Sequence, residues 1–422
     1  MKKYLLSTIL TFAVVTNASA AGYQLQEYSI TGLGRAFAGS GVMGDDYSAI
    51  AFNPAGMSLV NKSGIQMGAI AVDVYGQAKG TSRADATVDT PAGSMTIPGP
   101  EKTGRIHSNI FRLLPHFYGQ KKVNDKLDLG IGLYVPFGLA NDYDNGWFGS
   151  EHGEYSGITI VNLTPSISYK IVDSLSVGLG VNLQYAVAHL TGGLFKGPGI
   201  TGSTDMHDAD DIGVGYNIGL VWKPTNSTRL GVSYRSKVNH KLQGKNHIMI
   251  PAIGMDVAAK VNAKITTPET IIFSAAQDLN DKWTLSGIAR YTRWSRFDTL
   301  NINQEGQGVI STTHEKWKNT WLLGAGADYK YCKNLTLRFG AAWDDTAIRS
   351  AKYRTARIPD ERRIWTSIGA SYTKNNWQFD IGYSHLFVHS AKAKGTAVDA
   401  GKFDAKYHIQ SNIFGMGLQY KF

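Results

Sequence analysis

Long stretches of this chain alternate strictly between apolar and small or polar residues, and this period of two limits the possible fold more than any other feature. From position 175 to 187 the odd residues are Leu, Val, Leu, Val, Leu, Tyr and Val, whereas the even ones are Ser, Gly, Gly, Asn, Gln and Ala. Successive side chains of a β-strand point to opposite faces, so one face here is apolar and the other is small or polar. A helix would spread the same residues around its circumference. The pattern recurs at 127–137, 335–344, 377–384 and 414–422.

Composition and strand length separate the two β folds that alternate in this way, the soluble sandwich and the membrane barrel. The polar face of a sandwich strand meets water and seldom carries glycine, whereas small residues dominate that face here, and 47 of the 422 residues are glycine. The strands also run well past the usual ~5–6 residues. No run of about 18 apolar residues follows position 20, which excludes a bundle of membrane helices. The sequence therefore predicts an all-β transmembrane barrel.

The turns between the alternating segments predict the number of strands. Short polar turns fall at 122–126, 172–174, 225–228, 280–282, 332–334 and 374–376. Longer polar segments, interpreted as loops, fall near 78–103, 142–156, 192–211, 246–261, 302–314, 346–358 and 391–407. Six short turns that alternate with seven long loops give 14 antiparallel strands. Both ends of the barrel then lie on the short-turn side, which is the periplasmic side in outer-membrane barrels.

Aromatic residues at the strand ends support this arrangement. Trp222, Trp283, Tyr331 and Trp377 lie at or beside the short turns, as expected of an interfacial girdle. The last strand ends on Phe422, on its apolar face. As a resemblance to outer-membrane proteins in general implies, we expect this terminal aromatic to be part of the signal for the barrel-assembly machinery.

Residues 1–20 have the pattern of a secretory signal peptide. Lys2 and Lys3 form the positive start, an apolar stretch too short to span a bilayer follows, and Ala18-Ser19-Ala20 is a small-x-small cleavage site. An N-terminal anchor helix is the alternative, but the apolar stretch breaks at Thr16-Asn17. We therefore expect a mature chain that begins at Ala21.

The net charge and the cysteine content limit the classes of partner and cofactor that the protein could bind. Without the two N-terminal lysines the chain has 41 basic and 33 acidic residues, a net charge of +8. No basic helix and no zinc-ligand spacing is present, so we expect no nucleic acid, and an anionic membrane surface such as lipopolysaccharide is favoured. The single Cys332 cannot form an intramolecular disulfide or a thiolate cluster. We expect no metal and no other cofactor.

Residues 21–62 do not alternate and are predicted to fill the barrel. They are rich in glycine and carry the turn Asn53-Pro54-Ala55, where Asn53 is biased to an extended backbone by the proline that follows. About eight strands already enclose a space that their own side chains fill, so a barrel of ~14 strands needs additional material in its lumen. We therefore divide the chain into a signal peptide (1–20), an N-terminal plug or hatch (21–62) and the barrel (63–422).

Several short motifs resemble those of the FadL family, outer-membrane transporters of long-chain fatty acids and other hydrophobic compounds. The similar segments run from residue 21 to 422: Ala21-Gly22-Tyr23-Gln24-Leu25, Gly32-Leu33-Gly34-Arg35-Ala36, Asn53-Pro54-Ala55, Tyr234-Arg235-Ser236, Tyr291-Thr292-Arg293-Trp294-Ser295, Trp343-Asp344-Asp345, Ile358-Pro359-Asp360 and Tyr420-Lys421-Phe422. The resemblance implies a 14-stranded barrel that is closed by an N-terminal hatch. It also implies capture of a hydrophobic ligand among the extracellular loops and its transfer to a pocket in the lumen.

The resemblance further implies lateral release of the ligand through a gap at a kink in the third strand. That strand is predicted from Leu127 to about Asn141, and it contains Pro136, Phe137 and Gly138. Proline has no N–H for the ladder, and glycine weakens a strand interior, so we expect the kink here. The alternative is a proline at the frayed end of a strand. We expect the hatch turn at Asn53-Pro54-Ala55 to line the inner rim of the gap.

Basic residues inside the barrel are candidates for holding a fatty-acid carboxylate, because a cation in an apolar pocket makes a charge-assisted hydrogen bond. By strand parity we expect Arg235, Arg290, Lys316 and Lys318 to face the lumen. Lys196, in the loop after the fifth strand, is a further candidate. The alternative for each is an ion pair with an acid of the plug or of the opposite wall.

The favoured function is passive uptake of hydrophobic molecules across the outer membrane of a Gram-negative bacterium, by a protein that we expect to be a monomer. Long-chain fatty acids are the first ligand class and aromatic hydrocarbons the second. A membrane lipase is disfavoured, since Ser384 and His385 are adjacent on a strand and point to opposite faces. An adhesin or purely structural barrel is the remaining alternative, but it leaves a plug and a kinked strand without a role.

Overall fold

The wall of the protein is one closed antiparallel sheet of 14 strands. The structure is a computed structural model, and it describes residues 22–395 and 401–422. Twenty strand segments form the sheet, and six of the strands consist of two segments each. The strands are β1 (Gly64–Thr90), β2 (Gly93–Pro98 and Lys102–Lys122), β3 (Leu127–Asp142), β4 (Tyr155–Val172), β5 (Leu175–Gly197), β6 (Ile200–Trp222), β7 (Thr228–Arg235 and Val238–Ile250), β8 (Met255–Thr267 and Thr270–Asp278), β9 (Trp283–Thr292 and Thr299–Gln304), β10 (Gly308–His314 and Thr320–Cys332), β11 (Leu335–Asp344), β12 (Arg363–Lys374), β13 (Trp377–Val388 and Ala391–Gly395) and β14 (Gly401–Lys421). The ring closes where β1 pairs with β14, from Gly64 opposite Lys421 upwards.

The predicted strand count and short turns are confirmed, but several predicted loops are wrong. The segments 78–90, 93–98, 102–103, 192–197, 200–211, 246–250, 255–261, 302–304, 308–314, 391–395 and 401–407 are strand residues that lengthen the wall, whereas 143–154 and 345–362 are true loops. The error has a physical cause. Beyond the bilayer both faces of a strand meet water, so apolar alternation disappears although the backbone ladder continues.

The outward face of the strands is apolar, as the alternation predicts. Side chains such as Leu179, Phe273 and Met416 are 46%, 49% and 72% exposed, which is expected where lipid rather than protein covers them. The four aromatic residues predicted for the girdle are also exposed at the strand ends. Phe422 follows the last rung, with its backbone N–H bound to the Ser63 carbonyl at 3.0 Å and its side chain exposed.

Residues 22–62 lie against the inward side chains and are almost entirely buried. They contain three single-turn helices, α1 (Ile30–Leu33), α2 (Ala49–Phe52) and α3 (Met57–Val60), and the 3-10 turn Pro54–Gly56. Serine 29 caps α1 by accepting a hydrogen bond from the Gly32 N–H. None of the helices in the described ranges is long and apolar enough to cross a membrane. The expected signal peptide, residues 1–20, and the expected first residue Ala21 lie outside the described residues.

Inward glycines of the wall let this segment approach the strands closely. A Cβ atom at Gly178 or Gly219 would overlap the backbone of Ala55 or the side chain of Asn53, and a Cβ at Gly340 would overlap the backbone of Arg35. Packing therefore explains the small residues on the inner face of the wall. Their lack of bulky side chains leaves the space that the N-terminal segment occupies.

Four charges, three of them buried, fix the segment to the wall. Arg35 makes a bidentate ion pair with Asp45, at 2.8 and 3.0 Å, and reaches Asp328 of β10 at 2.9 Å. Arg338 of β11 bonds to both carboxylates at 3.1 Å. Although burial alone would raise it, the charges of Arg35 and Arg338 hold the pKa of Asp45 below its ordinary value. We refer to these four residues as the charge network.

Candidate functional site

The ladder between β2 and β3 stops halfway up the wall. The two strands pair from Lys122 opposite Asp128 to Phe117 opposite Leu133. Above this rung β2 stays paired with β1 up to Lys102, while β3 stays paired with β4, with a register shift between Tyr134 and Phe137. The two strands meet again near the top, where the Ser108 hydroxyl donates to the Asp142 carbonyl at 3.0 Å. Between these two contacts the described wall has a gap.

The kinked part of β3 bonds to the N-terminal segment instead of to β2. The Leu25 N–H donates to the Pro136 carbonyl at 2.8 Å, and the Gly138 N–H donates to the Tyr23 carbonyl at 2.8 Å. Gln24 thus forms an isolated bridge opposite Phe137. Pro136 has no N–H to donate, and the kink turns its carbonyl to a partner inside the barrel. Backbone groups that the wall leaves unpaired are in this way satisfied by residues 23–25.

An apolar cleft of about 710 Å³, partly open to solvent, lies behind the gap. The lining side chains come from the inner face of β1, β13 and β14, both edges of the gap, and the loop before β12. The apolar ones include Val74, Ala78, Ile106, Ile110, Leu139, Ala140, Ile358, Val388 and Ile409. The cleft therefore offers a hydrophobic molecule a place directly beside the opening in the wall.

Charged residues form one side of the cleft. Arg363 is buried and pairs with Asp360, and its Nε lies 3.8 Å from Asp344 Oδ2. Arg354 holds the same loop, donating to the Asp360 carbonyl and to Glu361, both at 2.9 Å. Burial raises the pKa of Asp360 to about 6, against the opposing effect of Arg363. Asp360 also accepts from the Gly22 N–H at 3.3 Å, which ties the loop to the start of the N-terminal segment.

Two of the predicted cations meet in a second cavity of about 310 Å³. Arg235 and Arg290 are both buried and both line it, as the parity of their strands predicts. Arg235 donates to the Ala51 carbonyl at 2.8 Å and to the Tyr134 hydroxyl at 3.0 Å. Arg290 donates to Gln26 at 3.1 Å. A guanidinium has five N–H donors, so each keeps capacity for a further acceptor.

The other three predicted cations lie elsewhere. Lys316 pairs with Asp298 at 2.7 Å and Lys318 with Asp345 at 2.8 Å, and both side chains are partly exposed. Strand parity does not carry to these two lysines, because β10 is interrupted between His314 and Thr320. That they face the lumen therefore stays a prediction. Lys196 is exposed at the tip of the β5–β6 hairpin and lines neither cavity.

The turn Asn53-Pro54-Ala55 is not at the gap. Asn53 donates to the carbonyls of Leu220 and Val232, at 3.1 and 3.4 Å, and its own side-chain oxygen accepts from the Ala55 N–H. The turn thus packs on β4, β5, β6 and β7, and the predicted inner rim is corrected to residues 23–25. Strand pairing, which depends on contacts distant in sequence, decided this position.

Five aromatic rings surround the start of the N-terminal segment. Tyr23 contacts Phe137, Trp294, Phe297 and Trp317, with ring centroids 4.7–5.9 Å apart. Gly22 has a positive φ of 66°, and a Cβ there would overlap Trp317, so the chain can enter this cluster only through glycine. The cluster separates Gly22, in the cleft, from Gln24, in the second cavity.

A buried carboxyl, Glu315, supports the aromatic cluster. It accepts a hydrogen bond from the Trp317 indole N–H at 2.9 Å, and burial raises its pKa to about 8. A carboxyl whose pKa is higher in the folded than in the unfolded protein stabilises the fold at low pH, and this stabilisation is lost as the pH rises towards 8.

We expect the variant Glu315→Gln to lose much of the pH dependence of unfolding between about pH 5 and 8. The amide keeps an acceptor for Trp317 but does not ionise, so the variant should be more stable than the parent at pH 8 and similar at pH 5. Thermal unfolding of the purified proteins at both pH values measures this. Parallel pH curves for the two proteins would contradict it.

Two parts of the site were missed by the sequence reasoning. Arg363 lies three residues beyond the motif Ile358-Pro359-Asp360, and its place at the cleft depends on how the loop folds back. Residues 23–25 contain no charge and no turn signal. Their bonds to Pro136 and Gly138 join positions more than a hundred residues apart, which local pattern cannot indicate.

Comparison with known proteins places this geometry among outer-membrane transporters. A family model described as "Outer membrane protein transport protein (OMPP1/FadL/TodX)" matches residues 11–422. Outer membrane protein P1 of Haemophilus influenzae is 30% identical over 467 residues, which cover all of both chains. The long-chain fatty acid transport protein of Escherichia coli K12 is 25% identical, covering 97% of this chain and 96% of its own. The crystal structure of a Pseudomonas aeruginosa FadL homologue superimposes with a TM-score of 0.85 at 25% identity, covering 95% of this chain and 100% of that one.

Proposed function

Since the chain belongs to the OMPP1/FadL/TodX family of outer-membrane transport proteins, we propose that its ligands are long-chain fatty acids. The family transports hydrophobic compounds across the outer membrane of Gram-negative bacteria. We propose further that the ligands leave sideways through the gap between β2 and β3. The observation that carries the proposal is the apolar cleft of about 710 Å³ directly behind the unpaired stretch of wall. The name of the E. coli relative supports the ligand class.

Lateral exit is favoured by the energetics of a hydrophobic ligand. Each CH₂ group that is exposed to water costs about 0.8 kcal/mol, so a chain of ~14 CH₂ groups would pay roughly 11 kcal/mol to enter the periplasm directly. A path from the cleft into the bilayer avoids this cost. Uptake can therefore be passive, driven by the concentration of the ligand outside the cell and its removal inside.

We propose further that residues 22–62 act as the plug of the 63–422 barrel. The burial of this segment, its charge network with β10 and β11, and the contacts of Asn53 with β6 and β7 support that role. The bonds of Tyr23 and Leu25 to the kinked strand make this part of the plug the inner edge of the gap. A shift of residues 23–25 would change the cleft and the gap together.

The second cavity is proposed to take the carboxylate at a stage of the passage. Arg235 and Arg290 are the cations there, among polar groups such as Ser233 and Thr270. We expect Arg290→Gln to weaken oleate binding by about 1.5–3 kcal/mol, the range for a hydrogen bond to a charged group, or roughly 10- to 150-fold in Kd. Oleyl alcohol, which has the same chain but no carboxylate, should bind the variant and the parent alike. Fluorescence displacement on the purified proteins measures both.

The matched control is Lys318→Gln. It removes one cation that pairs with Asp345 at the partly exposed edge of the barrel, away from both cavities. Both ligands should keep their affinities in this variant. Equal losses of oleate and oleyl alcohol in Arg290→Gln would assign Arg290 a structural role, and unchanged oleate binding would remove it from the carboxylate site.

Aromatic hydrocarbons are the second ligand class, and the apolar lining of the cleft favours them as much as it favours an alkyl chain. Uptake of oleate and of toluene by cells that carry the protein distinguishes the two. Toluene uptake without oleate uptake would replace the fatty-acid assignment while leaving the lateral route intact.

The remaining partners are also proposals. The exposed Phe422 at the end of β14 is the proposed contact of the barrel-assembly machinery, and outer-membrane lipid is the proposed surrounding of the apolar outer face. We propose that the barrel functions as a monomer, because the ring closes within one chain and the lumen is filled by its own N-terminal segment.

A further inference from the structure

Four cations stand side by side on one rung of the outer barrel face. Arg105 of β2 is in register with Lys79 of β1, Lys79 with Lys406 of β14, and Lys406 with Lys392 of β13. All four side chains are exposed, and their neighbours along each strand point inward and are buried, for example Ala78. Cross-strand neighbours have Cβ atoms about 4.5–5.5 Å apart, and like charges at this distance destabilise a sheet. We call this row the basic rung.

Carboxylates of the protein do not neutralise the basic rung. Over residues 22–395 and 401–422, none of its four cationic groups has a carboxylate oxygen within 4.0 Å. The acids nearby already have partners: Asp85 accepts from Arg83 at 2.9 Å, and Asp404 lies 3.4 Å from Lys402. The positive charge of the rung is thus open to an anion from outside.

The other side of the barrel pairs several of its outer cations with acids of the same chain. On the outer extensions of β6 to β10, Lys245 lies 4.0 Å from Asp208, Lys260 lies 3.3 Å from Glu305, and His247 contacts Asp256. Lys241 of β7 and Lys264 of β8, which stand in register and are exposed, are unpaired exceptions among the described residues of this flank. What distinguishes β13, β14, β1 and β2 is a row of four unpaired cations on four neighbouring strands.

The height of the basic rung coincides with the lipid headgroups. An antiparallel strand rises about 3.4 Å per residue, and at a tilt of ~40° this is roughly 2.6 Å along the membrane normal. Lys79 stands 14 residues after Ile65, the first outward apolar residue of β1 beside the Trp377–Tyr420 pair. The rung then lies about 36 Å above the lower girdle, or ~10 Å beyond an apolar band of about 25 Å. Exposed Tyr75 marks the upper edge of that band.

We propose that the basic rung is a binding site for the phosphorylated headgroup of lipid A, the membrane anchor of lipopolysaccharide in the outer leaflet. Lysines supply point charges to phosphate oxygens, and Arg105 can donate two parallel hydrogen bonds to one phosphate. Exposed Phe111 and Phe387, below the rung, lie where acyl chains of the same lipid would pack. The site goes beyond transport, and its failure would leave the proposed ligand route unaffected.

The test uses the full-length protein, purified in a non-ionic detergent, and measures lipid A adducts by native mass spectrometry. We expect the double variant Lys79→Gln/Lys406→Gln to bind bisphosphorylated lipid A about 25-fold more weakly, since each cation near an anionic surface contributes about fivefold. The control Lys245→Gln/Lys260→Gln removes two cations from the outer face of the opposite flank. Lipid A affinity should be unchanged in this control.

Three further probes separate the sources of the anion. Dephosphorylated lipid A should bind the parent protein as weakly as bisphosphorylated lipid A binds the double variant. Inorganic pyrophosphate and soluble heparin should not displace lipid A at equal phosphate or sulfate concentration. Equal lipid A affinities for parent and double variant, or preferential binding of pyrophosphate or of heparin at the rung, would overturn the proposal.

Discussion

Replacing Pro136, Phe137 and Gly138 by Val, Thr and Val is expected to remove most fatty-acid uptake while the barrel still folds. The new residues can donate and accept regular ladder bonds, so β3 can continue its pairing towards β2 and close the gap. A ligand must then leave through water, and every two CH₂ groups that do so add about 1.6 kcal/mol, or roughly a 15-fold slower passage. Uptake of labelled oleate by cells with matched surface levels measures the loss.

A second proline of the wall provides the control for this experiment. Pro165 of β4 is exposed on the outer face and lies opposite Ile131, where β3 and β4 remain paired. Pro165→Val changes the same residue type in the same part of the barrel but away from the gap, and should leave uptake unchanged. Full uptake in the 136–138 variant would mean that the ligand leaves through the plug, and the lateral route would have to be dropped.

A bulky label offers an independent block of the same gap. Cys332 is exposed and must first be replaced by serine, after which a cysteine at Gly138 is the single reactive thiol. A maleimide with a large head group at this position should reduce uptake as the strand replacement does, whereas the unlabelled Gly138→Cys protein should retain most of it. Equal uptake before and after labelling would argue against passage at this point.

Loss of Arg35 is expected to release the plug and make the barrel leaky. Arg35→Ala leaves Asp45 and Asp328 with Arg338 alone, and breaking a buried ion pair on one side costs about 3–5 kcal/mol. The population with an unseated plug should rise by roughly a hundred- to a few thousand-fold, since 1.4 kcal/mol corresponds to a factor of ten. Swelling of proteoliposomes in small sugars, and conductance in planar bilayers, measure the leak.

The control for the plug variant is Arg83→Ala. Arg83 also pairs with an aspartate, Asp85, but 42% of its side chain is exposed on the outer extension of β1, where an ion pair contributes little. The conductance of the Arg83→Ala barrel should equal that of the parent protein. A tight barrel in Arg35→Ala would show that the charge network is not what holds the plug, and packing against inward glycines such as Gly340 would have to account for it.

The basic candidates illustrate how far strand parity can be carried. It placed Arg235 and Arg290 correctly, because each lies on a strand segment that is paired without a bulge up to that residue. It cannot be applied to Lys316 and Lys318, because the chain leaves the sheet between the two segments of β10 and the alternation restarts at Thr320. Parity is reliable only as far as the ladder is continuous.

The loop predictions failed for a related reason. Polarity on both faces of 78–103 and 192–211 was interpreted as absence of strand, although these residues continue the ladder above the membrane. Amphipathic alternation reports that one face meets lipid and the other the lumen. The alternation cannot identify strands that have water on both faces.

The sequence by itself determined that the chain forms a barrel of 14 strands, with an apolar outer face, a small-residue inner face and a non-alternating segment to fill the lumen. These properties depend on the period of two and on turn residues, which are local. Tertiary structure alone decided that residues 23–25 form the inner edge of the gap, that Arg363 borders the cleft, and that Asn53 anchors the plug on β6 and β7. Each of these depends on backbone or side-chain contacts between residues more than a hundred positions apart, whose pairing follows from how the ring closes and not from any nearby pattern.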